Sequence, residues 1–505
     1  MPTLSENLAR LQNAKTAIAN AITAKGGTVS ANDGLEEFPQ AILSLAGQSG
    51  TIVPSNIKGL VDPNTTAYEL ARLVDAKIDI GNAITAKGGT VCANDGLEEF
   101  ATAIDTIQSQ KIYGFHISSS VSDPSNAVTY LEDAVGKTPA GMNYSTGVFS
   151  YGSWAEDEFF MPRPCMLRCY GTVAYYLNPN DYTKKADGTA SDISNTSFDG
   201  NAMMEWGRDG KKIWYKIVPD SGSNTSASIY IADSQVDSGY HAYSFINSSG
   251  NMSDHFYTPI YNGSYSNSKL RSLSGQTCKV NTTVDNEVSY ATANGSGWYI
   301  ETWGDRELIN ILLILLGKSL NTQTVFGMGN SNGSSSVIST GTMNDKGLFW
   351  GKNVSSSSDK SGVKVFGMEN WWGNIHRRTA GLILTGGSTI RAKYCYSTSD
   401  GSTTSGYNST GSGYINTGVV PTGSSSYLRY NNFANGMMIP YDADGSNTTH
   451  YCDYFNYTTT STRTAYARCG GDSGSESYCG AFYVSLYAAA SGSNSWLGAS
   501  LSFRG

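Results

Sequence analysis

Hydrophobic residues near the start of the chain recur at the spacing of an α-helix. They stand three, four or seven residues apart, at Leu4, Leu8, Leu11, Ile18 and Ile22. This spacing places them along one face of a helix. A glycine pair, which ends helices readily, follows the run. The pattern therefore predicts an amphipathic helix, and the short apolar segment around Phe38 predicts a second one after it.

This helical segment occurs twice. The sequence IANAITAKGGTVSANDGLEEFPQAI, from Ile18, returns almost unchanged as IGNAITAKGGTVCANDGLEEFATAI, from Ile80. An internal repeat marks one supersecondary unit that is used twice. We therefore predict two helical repeats, at residues 1–46 and 66–110. The glycine, serine and proline content of residues 47–65 predicts a linker between them.

Each repeat is too small to bury its apolar face alone. We expect the two apolar seams to close against other copies of the chain as a short coiled coil, in a homotrimer. The alternative is a monomeric pair of helices that packs on the main body of its own chain. Small N-terminal repeats of this kind resemble those that attach and trimerise phage tail fibres and adhesins.

After residue 110 the hydrophobic period shortens to the two-residue period of a β-strand. Alternating runs bounded by turn residues occur at three places, residues 166–176, 212–218 and 227–232. In the second run Ile213, Tyr215 and Ile217 fall on one face of the predicted strand. We therefore predict a β-rich middle domain at residues 111–298, and we find no pattern of nucleophile, base or metal ligands in it.

The last third of the chain combines a helical run with short strands. The apolar residues between 308 and 316 form a broad helical face, which predicts a buried helix. Residues 464–505 alternate short apolar runs with glycine, serine and asparagine segments that carry Tyr478, Tyr487 and Trp496. Small polar residues mixed with tyrosine and tryptophan are typical of an adaptable binding surface. The final strands are therefore expected to present a recognition surface.

Composition narrows the class of protein. Charged residues are only 15% of the 505, whereas glycine (56) and tyrosine (32) are abundant, as in β-rich proteins of an exterior or particle surface. The net charge of -8, without a lysine or arginine cluster, argues against nucleic acid as a partner. The sequence shows no secretory leader and no apolar run near the roughly 20 residues of a membrane helix, so we expect no membrane insertion. Eight cysteines are too sparse for a disulfide scaffold. A phage virion component, made in the host cytoplasm, fits this combination.

A specific motif, G-x-E-N-x-W-G-N, stands in the last third. Its fixed positions are Gly367, Glu369, Asn370, Trp372, Gly373 and Asn374. The chain also closes with W-x-G-A-x-L-S-F-R, from Trp496 to Arg504. With the apolar helix before them, these motifs resemble the C-type-lectin-like fold shared by formylglycine-generating enzymes and the variable proteins of diversity-generating retroelements. The resemblance covers residues 299–505 and implies a small antiparallel sheet, two helices and long ordered loops.

The resemblance also implies a ligand-binding face. In the retroelement-linked branch, residues scattered through the last strands form an exposed binding surface, while the motif residues are structural. Carried onto this sequence, the candidate face consists of Arg468, Asp472, Ser473, Ser475, Glu476, Tyr478, Ser485, Tyr487, Ser493, Ser495 and Trp496. The apolar residues between them, Phe482, Val484 and Leu486, would form the constant interior side. For any single position, an ordinary solvated loop residue is the alternative.

The enzymatic branch of the same group depends on a closely spaced cysteine pair that handles copper and oxygen. Here the last two cysteines, Cys469 and Cys479, are separated by a glycine and serine loop. This spacing departs from the family's pair, and a disulfide or a pair of buried thiols is the simpler interpretation. We expect no catalytic residues, no metal and no cofactor. A formylglycine-generating-type oxidase is the alternative, and a bacterial surface adhesin is a second one.

Taken together, the patterns predict an α+β protein with short N-terminal helical repeats, a β-rich middle and a C-terminal C-type-lectin-like fold. The expected function is that of a phage tail-fibre or receptor-binding protein in the virion. Its partners would be a bacterial cell-surface receptor, protein or glycan, further copies of itself, and phage tail or baseplate proteins at the N-terminus. Diversification of the C-terminal face by a retroelement is an open option.

Overall fold

A computed structural model of the chain describes residues 4–44, 66–106 and 110–505. Within these ranges it leaves out residues 88, 93, 248, 334–335, 354–359, 387–388, 393–412, 425 and 459–463. The predicted linker at residues 47–65 lies outside the described residues. Contacts divide the chain into two compact units, residues 1–111 and 112–505, called here the helical unit and the main unit. Helices and strands are both present, so the α+β prediction is confirmed.

The helical unit contains a long and a short helix from each repeat. They are α1, Leu4–Ala24; α2, Phe38–Ser44; α3, Thr66–Ala86; and α4, Leu97–Thr106. α1 packs against α4, and α2 packs against α3, so each long helix pairs with the short helix of the other repeat. The exchange is reciprocal. Arg10 pairs with Glu98 at 3.2 Å, and the equivalent residues of the opposite copies, Arg72 and Glu36, pair at 2.8 Å.

The second half of each apolar seam closes against the other repeat of the same chain, whereas the earlier seam residues Leu8, Leu70 and Leu73 are exposed. One buried cluster combines seam residues of both copies, Ile18, Ile22, Phe38, Ile80, Ile84 and Phe100. The sequence alone suggests closure against other subunits or against the main body. A repeat covers its apolar face with a copy of itself, and a copy in the same chain is present at high effective concentration. The homotrimer stays a prediction.

The main unit is built mostly from β-strands. The strands of its first half are β1, Ile112–Ile117; β2, Val128–Glu132; β3, Gly141–Asn143; β4, Val148–Ser150; β5, Arg163–Arg168; β6, Val173–Asn178; β7, Asp181–Lys185; β8, Gly200–Trp206; β9, Trp214–Pro219; β10, Ala227–Ala232; β11, Phe256–Pro259; β12, Ser264–Ser266; and β13, Lys269–Arg271. The strands of its second half are β14, Trp298–Ile300; β15, Lys364–Val365; β16, Met368–Glu369; β17, His376–Thr385; β18, Thr389–Ala392; β19, Ile415–Asn416; β20, Tyr430–Asn432; β21, Ile439–Asp442; β22, Phe455–Tyr457; β23, Ala465–Cys469; β24, Val484–Leu486; β25, Leu497–Gly498; and β26, Leu501–Phe503. Its helices are α5, Val284–Thr292; α6, Trp303–Gly317; and α7, Thr322–Phe326.

Among the described residues, three sheets account for most of these strands. One has the order β14-β26-β11-β8-β5-β6-β7, and a second has the order β19-β18-β17-β23-β24-β22 with β25 beside β17. A third, four-stranded sheet has the order β2-β1-β10-β9. The predicted shared face of Ile213, Tyr215 and Ile217 is buried; Tyr215 and Ile217 lie in β9, and Ile213 directly precedes it.

The helix predicted at residues 308–316 is confirmed and is longer than expected. α6 spans Trp303–Gly317, and every residue in it is buried. The Thr302 side chain accepts the backbone N–H of Asp305 and so caps its first turn. The helix stops at Gly317, after which Lys318 adopts the left-handed conformation. α6 therefore lies inside the main unit, with an apolar second half and with buried polar residues, among them Arg306 and Asn310, in its first half.

The two segments predicted as the middle and C-terminal domains share one sheet. The expected boundary between residues 298 and 299 falls inside β14. The last strand, β26, pairs with β14 on one edge and with β11 on the other. A strand buried on both edges needs two hydrogen-bonding partners, and β26 finds one in each segment. Residues 112–505 accordingly form a single compact unit.

Candidate functional site

A buried tryptophan at a variable position inside the motif, Trp371, is held by two arginines. The guanidinium groups of Arg306 and Arg377 lie 4.5 and 4.3 Å from the centre of its ring. Each also donates a hydrogen bond to the Trp371 carbonyl, at 3.0 and 3.1 Å. The carboxylate of Glu301 pairs with both arginines, at 2.8 and 3.1 Å, because a buried cation needs a charged partner. These contacts fix the position of the Trp371 side chain inside the main unit.

Two motif side chains hold neighbouring loops. The Glu369 carboxylate accepts the backbone N–H groups of Gly341 and Met343, both at 2.8 Å. The Trp372 indole donates to the carbonyl of Gly327 at 3.0 Å. Both side chains are buried, so each contact satisfies a polar group that water does not reach. These contacts hold the backbone in place at Gly327, Gly341 and Met343.

The motif also contacts the segment that carries the candidate face. The N–H of Gly373 donates to the carbonyl of Gly470 at 3.0 Å, and the carbonyl of Asn374 accepts the N–H of Ser473 at 3.2 Å. Gly373 has a φ of 74°, and a Cβ there would lie 2.9 Å from the carbonyl oxygen of Asn330. Only glycine fits that position without strain. The turn at Gly373 therefore anchors the start of the candidate loop.

The candidate loop connects β23 to β24 and has a defined turn. At its base, Arg468 lies opposite Ser485 in the two strands and donates to its hydroxyl at 3.1 Å. Within the loop, the Asp472 carboxylate accepts the N–H of Gly474 at 3.1 Å and the hydroxyl of Ser475 at 2.6 Å. An aspartate that binds its own following backbone in this way stabilises a turn. The loop is thus held at both its strands and its tip.

The residues of the candidate face differ in exposure. Six are exposed: Glu476, Tyr478, Tyr487, Ser493, Ser495 and Trp496. Arg468, Asp472 and Ser475 are partly buried. Ser473 and Ser485 are buried, with 2% and 1% of their surface exposed, so their expected exposure is wrong. Ser485 lies between Asn456 of β22 and Arg468 of β23, and its hydroxyl accepts the hydrogen bond from Arg468, so its side chain is covered by neighbours in the sheet.

A row of aromatic rings crosses this end of the sheet, and it is named here the aromatic band. Its ring centres follow one another at 5.1, 5.8, 4.6 and 5.0 Å in the order His376, Tyr483, Tyr454, Tyr478 and Tyr427. The first two rings are buried and Tyr478 is exposed. Aromatic contacts at these separations are favourable beyond the area they bury. Apart from Tyr478, the sequence reasoning missed the band; the tyrosine-rich stretch YCDYFNY at residues 451–457 is the signal that points to it.

The three exposed aromatic residues of the candidate face do not form one cluster. Trp496 lies beside the aromatic band, because its carbonyl accepts the backbone N–H of His376 at 2.8 Å. Tyr478 is a member of the band. Tyr487 follows β24 at the end opposite to Tyr483, which directly precedes that strand. Tyr478 and Trp496 are thus associated with the band, and Tyr487 extends the surface beyond the strand.

His376 is the buried end of the aromatic band. Its Nε2 atom lies 3.7 Å from a carboxylate oxygen of Asp472, and its ring contacts Tyr483. Burial lowers the pKa of His376 below its ordinary value; Asp472 opposes this shift and the Arg468 guanidinium adds to it. The imidazole is therefore neutral at pH 7.

The two C-terminal cysteines are free and buried. Cys469 lies in β23, and Cys479 follows the candidate loop. Burial raises the pKa of both thiols. Of the two interpretations left open by the spacing, the structure has buried thiols and no disulfide between them. A protonated, inaccessible thiol is unreactive, so no observation at these cysteines favours an oxidase.

A comparison of the chain with protein-family models and with curated proteins finds no match. Within the described residues, no group of histidine, cysteine, aspartate and glutamate side chains is arranged to hold a metal ion. In the same part of the chain, no helix is both long and apolar enough to cross a membrane. The site described here therefore stands on its own geometry.

Proposed function

We propose that this protein is the receptor-binding protein of a phage tail fibre, and that the exposed part of the candidate face contacts a bacterial surface component. One observation carries the proposal. The side chains of Tyr478, Tyr487 and Trp496 are 42%, 48% and 44% exposed. The segments that carry them are held in place by backbone hydrogen bonds to neighbouring segments. Ordered tyrosine and tryptophan supply large contact areas at a low entropic cost, as recognition surfaces require.

The exposure of Trp496 sets it apart from the other tryptophans. All nine tryptophans of the chain lie in the described residues, and the other eight are buried or partly buried. The fold therefore buries or partly buries its other indole rings and leaves the ring of Trp496 exposed to solvent. Interface hot spots are enriched in tryptophan, tyrosine and arginine. A binding role explains the exposure of Trp496 better than chance does.

The separation of frame and face supports the C-type-lectin-like interpretation and the option of retroelement diversification. The frame contacts come from Trp371, Glu369 and Trp372, which are buried. Glu476, Ser493 and Ser495 are exposed, and substitutions at exposed positions usually change stability by less than about 0.5 kcal/mol. A face of this kind tolerates sequence change. A reverse transcriptase gene and a second, near-identical copy of the coding segment for residues 464–505 beside the gene would establish diversification.

In this proposal the helical unit joins the protein to phage tail or baseplate proteins in the virion and trimerises it. Three candidate faces on one fibre would bind together. Linked sites gain affinity because each later contact forms at a high effective concentration. Individual contacts with the receptor can then be weak.

Binding of the labelled, full-length protein to cells of the phage's host tests the proposal. The test variant combines Tyr478→Ala, Tyr487→Ala and Trp496→Ala. A matched control is Tyr170→Ala, which removes a tyrosine side chain that is 70% exposed in the turn between β5 and β6. We expect the test variant to lose roughly tenfold or more in affinity, since two or more hot-spot side chains are removed. Equal binding of the two variants would contradict the proposal.

A further inference from the structure

A cavity lies in the main unit, and it shares no residue with the candidate face or the aromatic band. Its volume is about 780 Å³, and it is lined by β4, the segment after it, the start of β5, the end of β6 and residues 345–350. It is named here the Trp350 pocket. Its volume falls within the roughly 300–1,000 Å³ of small-molecule sites. The sequence patterns single out none of its residues as binding residues.

One wall of the Trp350 pocket is aromatic and held in place. The ring of Phe149 stacks on that of Phe349, with centres 4.5 Å apart and an angle of 11° between planes. Tyr151 meets Phe149 edge-on at 5.0 Å. Phe149, Tyr151 and Trp350 are each partly exposed towards solvent. The wall therefore offers flat aromatic surface that is already ordered before any ligand arrives.

The rest of the lining offers both hydrogen-bond acceptors and donors. Glu156, Asp157 and Asn180 are exposed, and their side chains make no hydrogen bond or ion pair with other described residues. Arg208 adds a guanidinium group to the same lining. A carboxylate accepts several hydrogen bonds, an amide both accepts and donates, and a guanidinium only donates. This set suits a ligand whose own groups both donate and accept.

Charge and strand pairing limit the class of ligand. The three cations of the lining are each in an ion pair: Arg163 with Glu205 at 2.8 Å, Lys346 with Asp345 at 3.1 Å, and Arg208 with Asp209 at 3.6 Å. The pocket therefore has no excess of positive charge for a phosphate or another anion.

β6 has partners on both edges, and β4 is only three residues long. An extended peptide would find little free strand edge on which to pair.

A pyranose sugar fits these features. One face of its ring is made of C–H groups that pack on an aromatic plane, whose π-face is electron-rich. Its hydroxyl groups donate to carboxylates and accept from a guanidinium or amide. We propose that the Trp350 pocket is a carbohydrate-binding site for a short neutral oligosaccharide. The proposal rests on the residues of this pocket and does not depend on the candidate face.

The test is binding of the full-length protein to an array of neutral and acidic oligosaccharides, with a parallel array of short peptides. The strongest sugar is then titrated against the Glu156→Gln and Asp157→Asn variants. These changes keep the shape of exposed side chains that have no described partner, so folding is retained. We expect a neutral oligosaccharide to bind, and each variant to bind it at least about fivefold more weakly through loss of a charge-assisted hydrogen bond.

Further variants separate this site from the candidate face. Tyr478→Ala with Trp496→Ala should leave the sugar affinity unchanged, and Trp350→Ala, checked for a native melting profile, should abolish it. The proposal would be overturned if no sugar of the array bound, or if only peptides bound. It would also be overturned if the Glu156→Gln and Asp157→Asn variants bound the sugar as tightly as the unmodified protein does. If the sugar-binding results are as expected but substitutions in the candidate face do not weaken receptor binding, the proposed function is refuted and the sugar site is not.

Discussion

The indole of Trp371 donates a hydrogen bond to the side-chain oxygen of Asn310, at 3.0 Å, inside the main unit. The amide nitrogen of the same asparagine donates to the carbonyl of Ala481 at 2.7 Å. Asn310 is 2% exposed and lies in α6. The buried side chain of Asn310 thus links α6, Trp371 and the segment before β24.

We predict that Asn310→Ala destabilises the main unit without altering any exposed residue. The change leaves the Trp371 indole N–H and the Ala481 carbonyl buried without partners. Each unsatisfied group costs about 1–3 kcal/mol, so the free energy of unfolding should fall by at least about 2 kcal/mol. Chemical denaturation monitored by tryptophan fluorescence measures the loss. Asn126→Ala, at an exposed asparagine, is the control, and a similar stability of the two variants would refute the linking role of Asn310.

His376 predicts a specific pH dependence of stability. Because burial lowers its pKa in the folded state, the unfolded chain binds a proton more readily below the ordinary histidine pKa of 6.5. The contribution of His376 to stability is therefore complete above pH 6.5 and is lost as pH falls towards the folded-state pKa. The loss is at most about 1.4 kcal/mol for each pH unit in that window.

Denaturation curves at several pH values between 7.5 and 5 measure this dependence. The carboxylates of the chain titrate in the lower part of the same range, so the comparison is between the unmodified protein and His376→Gln. The variant should lose stability less steeply as the solution is acidified. Identical slopes would show that His376 does not titrate differently in the folded and unfolded chains.

The exchanged packing of the repeats predicts that damage to one repeat spreads to the other. Phe38 and Phe100 are buried in the same cluster, at 0% and 2% exposure, and truncating a buried phenylalanine costs about 3–5 kcal/mol. Phe38→Ala should therefore speed amide hydrogen exchange in α1 to α4 alike, and Phe100→Ala should have the same effect. Leu8→Ala, at a side chain that is 59% exposed, should change little. Faster exchange confined to the mutated repeat would contradict the exchange of helices.

Much of the local structure follows from the sequence, because it depends on neighbours along the chain. The repeat is visible by alignment of the chain with itself, α6 by its apolar run, and the inward face of β9 by alternation at Ile213 and Tyr215. Local pattern does not show which segment covers each repeat. It also does not show that β11, β14 and β26 share one sheet, because both features depend on pairing between residues that are distant in the chain.

The site shows the same limit. Tyr478, Tyr487 and Trp496 were predicted as surface residues and are exposed. The sequence places Ser485 on the face, but it is buried, because it lies between Asn456 and Arg468 of the neighbouring strands and binds the Arg468 guanidinium. Tyr454, Tyr483 and His376 join the aromatic band only through the order of β17, β23, β24 and β22, which is not evident from spacing. The Trp350 pocket gathers segments more than 150 residues apart for the same reason.

The central claim is that the exposed aromatic residues beside the aromatic band bind the host receptor. The most direct measurement is the adsorption rate of virions that carry Tyr478→Ala with Trp496→Ala, compared with virions that carry Tyr170→Ala. We predict that the first adsorb to host cells roughly tenfold more slowly or worse, and that the second adsorb normally, with equal melting temperatures for the two purified proteins. Equal adsorption of the two kinds of virion would contradict the account.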